Sequence, residues 1–242
     1  MKRLSADYIS KVLFNDGLNE KSYLNDLPVI KYLKKEKELC FSSNVTFFVG
    51  ENGTGKSTLL EAIAISYGFN AEGGSINFTF STNDTHSELF ENIVVAKRKF
   101  AKDGFFLRAE SIYNAATYID EVKATHNYGG VSLHKQSHGE SFLSIVQNRF
   151  FGNGIYILDE PEAALSPNRL LTLMSEMNEL VKKDSQFIIA THSPILMAFP
   201  NAEIFEFSND GLKQVSYKET EHYKITKSFL DNPEKMLHYL LK

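Results

Sequence analysis

Apolar positions follow two alternating rhythms along the chain. Short runs such as Val45, Phe47, Phe48 and Val49 in "NVTFFVG" predict buried strands, this one ending at a glycine. Helical spacing follows at once in "STLLEAIAISYG", with Leu60, Ile63, Ala64 and Tyr67 on one face and Gly68 as the stop. "GFFLRAE" (104–110), Ile155 to Leu158 and Phe187 to Ala190 predict three more short strands. "SINFTF" and "NIVVAKR" predict two others, belonging to an antiparallel flank.

Later segments keep this alternation. "SPNRLLTLMSEMNELVKKD" predicts a helix with Ser166 as N-cap and Pro167 at the first helical position. Its apolar face is Leu170, Leu173, Met174, Met177, Leu180 and Val181. "EIFEFSNDGLKQVSY" predicts a hairpin turning at Asn-Asp-Gly. A tail helix over 233–241 has Asn232 as N-cap and Pro233 at N1. Its apolar residues, Met236, Leu237, Leu240 and Leu241, are expected to dock on the chain's own core. Strands alternating with helices predict an α/β fold.

Composition narrows the picture. The 242 residues are 43% hydrophobic, enough for one domain over 1–242 with a small helical lobe at about 111–150. A net charge of −4 and pI near 6.0 give no global attraction to nucleic acid or anionic membrane. The run Lys31, Lys34, Lys35 and Lys37 is diluted by Glu36 and Glu38 and reads as a solvated face. Cys40 is the single cysteine, so an intrachain disulfide is excluded. No run approaches the roughly 18 apolar residues of a membrane helix. The expectation is a cytoplasmic chain without membrane insertion.

The chemistry begins at "GENGTGKST" (50–58), which matches G-x-x-x-x-G-K-[ST] between a predicted strand and a predicted helix. Glycines let successive backbone N–H groups turn toward phosphate oxygens, and the following helix points its positive end at the anion. Gly50, Asn52, Gly53, Thr54, Gly55, Lys56, Ser57 and Thr58 are therefore the candidate nucleotide contacts. Lys56 supplies charge to the β- and γ-phosphates, and the Ser57 hydroxyl can ligate Mg²⁺. Asp159 and Glu160 end an apolar strand, where an open α/β sheet places its ligands. The first acid suits Mg²⁺ and the second suits polarising water. His192, in "ATHSP" after another apolar strand, can reach a γ-phosphate.

Taken in order, these motifs resemble the ATP-binding-cassette (ABC) ATPase superfamily. "GENGTGKST" looks like its Walker A motif, and "IYILDEPEAALS" like Walker B running into a D-loop at Ala163, Ala164, Leu165 and Ser166. "ATHSP" is similar to the H-loop. "QSHGESF" then falls where the family carries its L-S-G-G-Q/E signature, 22 positions before Asp159 counted from Ser137. Ser137, Gly139 and Glu140 match, while Gln136 replaces the leucine and His138 the first glycine. Within the superfamily, "FFVGENGTGKSTLLEAIA", "GFFLRAE" and "SHGESF" resemble small stand-alone bacterial ATPases of the AAA-annotated and RecF-like group.

The resemblance implies a P-loop NTPase core with a mainly parallel sheet, an antiparallel flank and a reduced helical lobe. It implies Mg²⁺-dependent ATP hydrolysis, with Glu160, His192 and Lys56 as catalytic candidates. It also implies a head-to-tail homodimer in which Ser137, Gly139 and Glu140 of one subunit meet the γ-phosphate held by the other. Glu110, in "LRAES", stands nearest the Q-loop glutamine as a further metal-side candidate, and Tyr23 lies upstream, where adenine stacks. On residues alone, the signature stretch reads equally as a capping loop before a helix starting near Ser141, whose apolar face is Phe142, Ile145 and Val146.

Three functions compete. One is an ATP-driven dimerisation switch coupled to an unknown protein or nucleic-acid partner. Another is the nucleotide-binding subunit of a transporter with a separate membrane subunit. The third is an ATP sensor without turnover, against which Glu160 argues. Only the 26 residues between Glu110 and Ser137 are available for a lobe that grips a membrane subunit, which excludes long coiled-coil arms.

Overall fold

A computed structural model describes residues 8–76 and 87–241. The chain opens with strand β1 (Ile9–Phe14), helix α1 (Pro28–Glu36) and strand β2 (Glu38–Cys40). The apolar run 45–50 forms β3 (Val45–Gly50), followed by α2 (Lys56–Tyr67). Next come β4 (Gly74–Ser75), β5 (Ile93–Lys97) and β6 (Asp103–Arg108). The lobe consists of α3 (Ile112–Glu121), two single 3-10 turns and α4 (His138–Arg149). Then β7 (Gly154–Asp159), α5 (Pro167–Lys182), β8 (Gln186–Ala190) and the short α6 (Pro194–Met197) complete the centre. The hairpin β9 (Glu203–Ser208) and β10 (Gly211–Val215) precedes α7 (Glu221–Asp231) and α8 (Pro233–Leu240).

Among the described residues the strands form two sheets. The larger has the order β10-β9-β3-β8-β7-β6-β4, parallel from β9 to β6, with β10 and β4 antiparallel at its edges. The smaller is antiparallel, β2-β1-β5. The mainly parallel core and antiparallel flank thus match expectation. Of "SINFTF", Ser75 is in β4, and residues 77–80 lie outside the described residues.

Side-chain alternation explains why both faces of the large sheet are covered. Phe48, Ile155, Ile157, Ile188 and Ala190 face one way, into a core shared with α1, α2 and the small sheet. Phe47, Tyr156, Leu158, Phe187 and Ile189 face the other, packing on α3, α4 and α5. Adjacent residues of one strand therefore supply opposite cores, which is the signature of a doubly covered parallel sheet. A side chain links the two sheets: the buried Gln186 amide accepts from Ile9 N–H at 2.8 Å and donates to Ile9 C=O at 2.9 Å. The strand β1, the helix α1 and the insertion they make before β2 had no counterpart in the sequence expectations.

Two expectations need correction. Helix α4 starts at His138, not near Ser141, because the Glu140 carboxylate accepts from both the Ser137 N–H (2.9 Å) and the Ser137 hydroxyl (2.6 Å). Such a bond satisfies an N–H that the helix itself leaves free. The tail helix does form, with the Asn232 side chain accepting from Lys235 N–H at 3.0 Å. Its apolar face does not dock on the core: Leu240 and Leu241 are 68% and 79% exposed. α8 instead packs on α7, and neither helix contributes a buried residue.

Candidate active site

The loop between β3 and α2 has a backbone that requires glycine at two places. Gly50 has φ +128°, and a Cβ there would stand 2.1 Å from the Phe207 carbonyl oxygen. Gly55 has φ +95°, and a Cβ would stand 2.5 Å from Val29 Cγ1 on α1. Gly55 is also the N-cap of α2, so the free N–H groups of that helix open onto the loop. The Lys56 ammonium is folded back into it, donating to the carbonyls of Gly50 and Glu51 at 2.7 Å each. Burial pushes Lys56 below the usual lysine range, and the nearby Glu160 and Asp159 carboxylates oppose that shift. The Thr54 hydroxyl donates to the Glu51 carbonyl at 2.8 Å, closing the turn.

β7 delivers the acids. Every residue of this strand is buried, and Asp159 at its end accepts a hydrogen bond from the Ser57 hydroxyl at 3.0 Å. Desolvation raises the Asp159 pKa to about 6, against the attraction of Arg108. Arg108 closes β6 beside it: its Nε lies 3.6 Å from Asp159 Oδ2, and its other nitrogens pair with Glu61 at 2.9 Å and Glu110 at 2.5 Å. Glu110 is thereby held at the rim of the same cleft. That cleft, about 440 Å³, is lined by Ser57, Arg108, Glu110, His138, Asp159 and Glu160 among others.

Glu160 adopts φ +47°, a left-handed backbone uncommon for a residue with a side chain. Its N–H donates to the Ala190 carbonyl at 3.0 Å, which ties the end of β7 to the end of β8. The twist turns its carboxylate toward His192, with Oε1 3.6 Å from Nε2. A third acid, Glu162, braces the opposite side: one oxygen accepts from the Thr191 hydroxyl at 2.7 Å and the other from the His192 N–H. The His192 ring then meets an unforeseen residue, His222 of α7, with Nδ1 and Nε2 3.0 Å apart. Burial, and next Lys56, push the pKa of both imidazoles down.

The stretch 136–141 divides in two. The His138 ring faces the cleft and its Nε2 lies 2.9 Å from the Ala109 carbonyl oxygen, joining α4 to the loop that carries Glu110. Ser137 and Glu140 face Arg169 of α5, at 3.2 Å and 3.1 Å. Gly139 sits so close to this surface that a Cβ would lie 2.5 Å from Arg169 Nη1 and 2.8 Å from the Ala164 carbonyl oxygen. The stretches 137–140 and 163–166 are therefore packed together within one chain. Asn52 is exposed in the phosphate loop, and Thr58 is half-buried in the first turn of α2. Tyr23, on the short turn Tyr23–Asp26 before α1, is 63% exposed.

A family model described as "ABC transporter" matches residues 39–163, just over half of the chain, spanning the phosphate loop and both acids. The chain belongs to the ABC transporter family. A second model, of an AAA domain grouped with AbiEii toxins and type IV toxin–antitoxin systems, matches residues 131–198. An ABC transporter ATP-binding protein of Pyrococcus furiosus is 24% identical over 252 residues, covering 91% of this chain and 95% of that one. The phosphate import ATP-binding protein PstB of Parasynechococcus marenigrum is 28% identical, covering 73% of this chain and 76% of its own length. The ribose import ATP-binding protein RbsA of Halalkalibacterium halodurans is 29% identical over 169 residues, and this chain spans about a third of it (33%). An inward-facing structure of a metal-chelate-type ABC transporter superposes with a TM-score of 0.50 at 15% identity, over 90% of this chain and 88% of that one, which shows the fold.

Four residues that the sequence motifs did not single out contact the candidate residues in the structure: Arg108, Glu162, Arg169 and His222. Glu162 stood within the motif "DEPE" and Arg108 directly before "AE", so both were near enough to find. His222 had no local signal, being brought to His192 only by the turn of the chain after β10. Among the described residues no helix is long and apolar enough to cross a membrane.

Proposed function

We propose that this chain hydrolyses ATP as a Mg²⁺-dependent switch that dimerises head to tail on nucleotide. The observation that carries the reading is the convergence of Ser57, Asp159, Glu160 and His192 beside the Lys56 loop, from three separate segments. The Ser57 hydroxyl and Asp159 carboxylate are hard oxygen donors in contact, which fits Mg²⁺, an ion held by one or two protein oxygens plus phosphates. Bound there, the ion would neutralise charge developing on the phosphates. Gly53, Gly55 and the N–H groups opening α2 cradle the phosphates. Lys56 exchanges its two carbonyl partners for phosphate oxygens. Glu160 accepts a proton from the attacking water and orients it in line, while His192 donates to the γ-phosphate.

Dimerisation supplies the remaining contacts. Ser137, Gly139 and the opening N–H groups of α4 form a positive helix end turned outward beside the D-loop. In a head-to-tail pair this end closes over the partner's γ-phosphate and excludes water, so turnover requires the dimer. Lys56→Ala should abolish ATP binding, and Glu160→Gln should retain binding while losing turnover. Retained turnover in Glu160→Gln would reject the assignment.

A second reading follows from the relatives named for phosphate and ribose import: the chain serves as the nucleotide-binding subunit of a transporter with a separate membrane subunit. Co-purification with an integral membrane protein from the native cell would favour it. ATPase stimulation by DNA or RNA would favour the soluble switch.

A further inference from the structure

We infer that His222, carried by α7, is a positioning residue for ATP hydrolysis: it fixes the tautomer and ring orientation of His192, so that His192 presents a protonated Nε2 to the site. The inference rests on the reading of His192 as the γ-phosphate contact.

Proton bookkeeping in the pair leads there. His192 Nδ1 and His222 Nε2 are 3.0 Å apart, so one of them carries the shared proton and the other accepts it. On its far side, His192 Nε2 lies 3.6 Å from a Glu160 oxygen. A carboxylate offers only lone pairs, so a bare Nε2 there would set lone pair against lone pair. The compatible state puts the proton on His192 Nε2 and leaves Nδ1 as the acceptor. His222 Nε2–H must then be the donor. The same state is the one that hydrogen-bonds a phosphate oxygen, which also offers only lone pairs.

The packing supports a holding role. Among the described residues, the buried His192 Nε2 has no hydrogen-bond partner, leaving its proton available to an incoming group. The backbone N–H of His192 is already held by Glu162, so the ring is the one part left to fix. α7 is itself anchored at this end. Glu221 N–H donates to the buried Glu206 carboxylate at 2.8 Å, and Thr220 caps the helix by accepting from Tyr223 N–H at 3.3 Å. Tyr223 in turn packs edge-on against Tyr217, ring centroids 4.7 Å apart. His222 thus reaches the site from a first turn held by these contacts. A residue that only pinned α7 to the core would have no need of a donor nitrogen at this place.

The test compares His222→Ala, His222→Gln and His192→Ala in the full chain, measuring kcat and KM for Mg-ATP. Ring-nitrogen NMR of wild-type protein labelled with ¹⁵N-histidine runs alongside. Expected are a loss of kcat on the order of tenfold or more in His222→Ala with KM unchanged, and substantial recovery in His222→Gln, whose side-chain N–H₂ can replace the Nε2 donor. The wild-type spectrum should show His192 protonated at Nε2. Wild-type kcat in His222→Ala beside an inactive His192→Ala would overturn the role of His222 alone. Full activity in His192→Ala would overturn the underlying reading instead. A wild-type His192 protonated at Nδ1 would overturn the inference whether or not the variants fold.

Discussion

The Ser57 hydroxyl and the Asp159 carboxylate, 102 residues apart in sequence, share a 3.0 Å hydrogen bond across the floor of the cleft. One comes from the helix after β3 and the other from the end of β7, two strands away in the sheet. Burial makes this contact costly for a charge, and that gives the first prediction.

Without nucleotide, the Asp159 pKa is raised from 3.8 to about 6. The folded protein therefore binds this proton more tightly than the unfolded chain does. Stability contributed by the group is full below about pH 4 and is lost as pH rises through about 6. Asp159→Asn removes that loss and should stabilise the nucleotide-free protein at pH 7–8 by on the order of 2 kcal/mol. The gain should vanish near pH 4, which thermal melts across pH can follow. The same variant should lose Mg²⁺-dependent turnover.

Gly50→Ala tests the backbone of the phosphate loop. A Cβ at 2.1 Å from the Phe207 carbonyl cannot be absorbed by a side-chain rotation, and φ +128° is strained for alanine as well. A destabilisation of about 3 kcal/mol is expected, with ATP binding lost in whatever protein folds. Denaturant unfolding and nucleotide titration check it.

Glu162→Gln keeps shape but places an N–H₂ group against the Thr191 hydroxyl or the His192 N–H. One of two donors then loses its acceptor, at a cost of about 1–3 kcal/mol. The His192 loop should loosen, so kcat should fall while ATP affinity stays near wild type. Equal losses in binding and turnover would show that Glu162 acts on the whole fold instead.

The motifs and the central strands were legible because each is local: a glycine-rich turn between strand and helix, or apolar runs ending in acids. The sheet order and the docking of α1 against Gly55 were not, since both depend on pairing between distant segments. His222 was invisible for the same reason. The tail misled for a different one. Helical spacing of Met236, Leu237, Leu240 and Leu241 marks an apolar face but does not say what covers it, and α8 leaves much of that face open.

That openness makes its own prediction. Leu240→Ser together with Leu241→Ser should change stability by no more than about 0.5 kcal/mol, because both side chains are exposed already. A loss of several kcal/mol would mean that the face docks on the core after all.

Ser137→Arg should block dimerisation and leave ATP binding intact, since Ser137 faces Arg169 and solvent and not its own phosphate loop. Loss of ATP binding in this variant would place the signature stretch in its own subunit's site.

The most direct test of the switch is the mass of Glu160→Gln in solution, measured by light scattering with and without saturating Mg-ATP. The mass should move from that of the 27.4 kDa chain to twice that value on adding Mg-ATP, and return when ATP is removed. A protein that binds Mg-ATP and stays at the monomer mass would contradict the head-to-tail account.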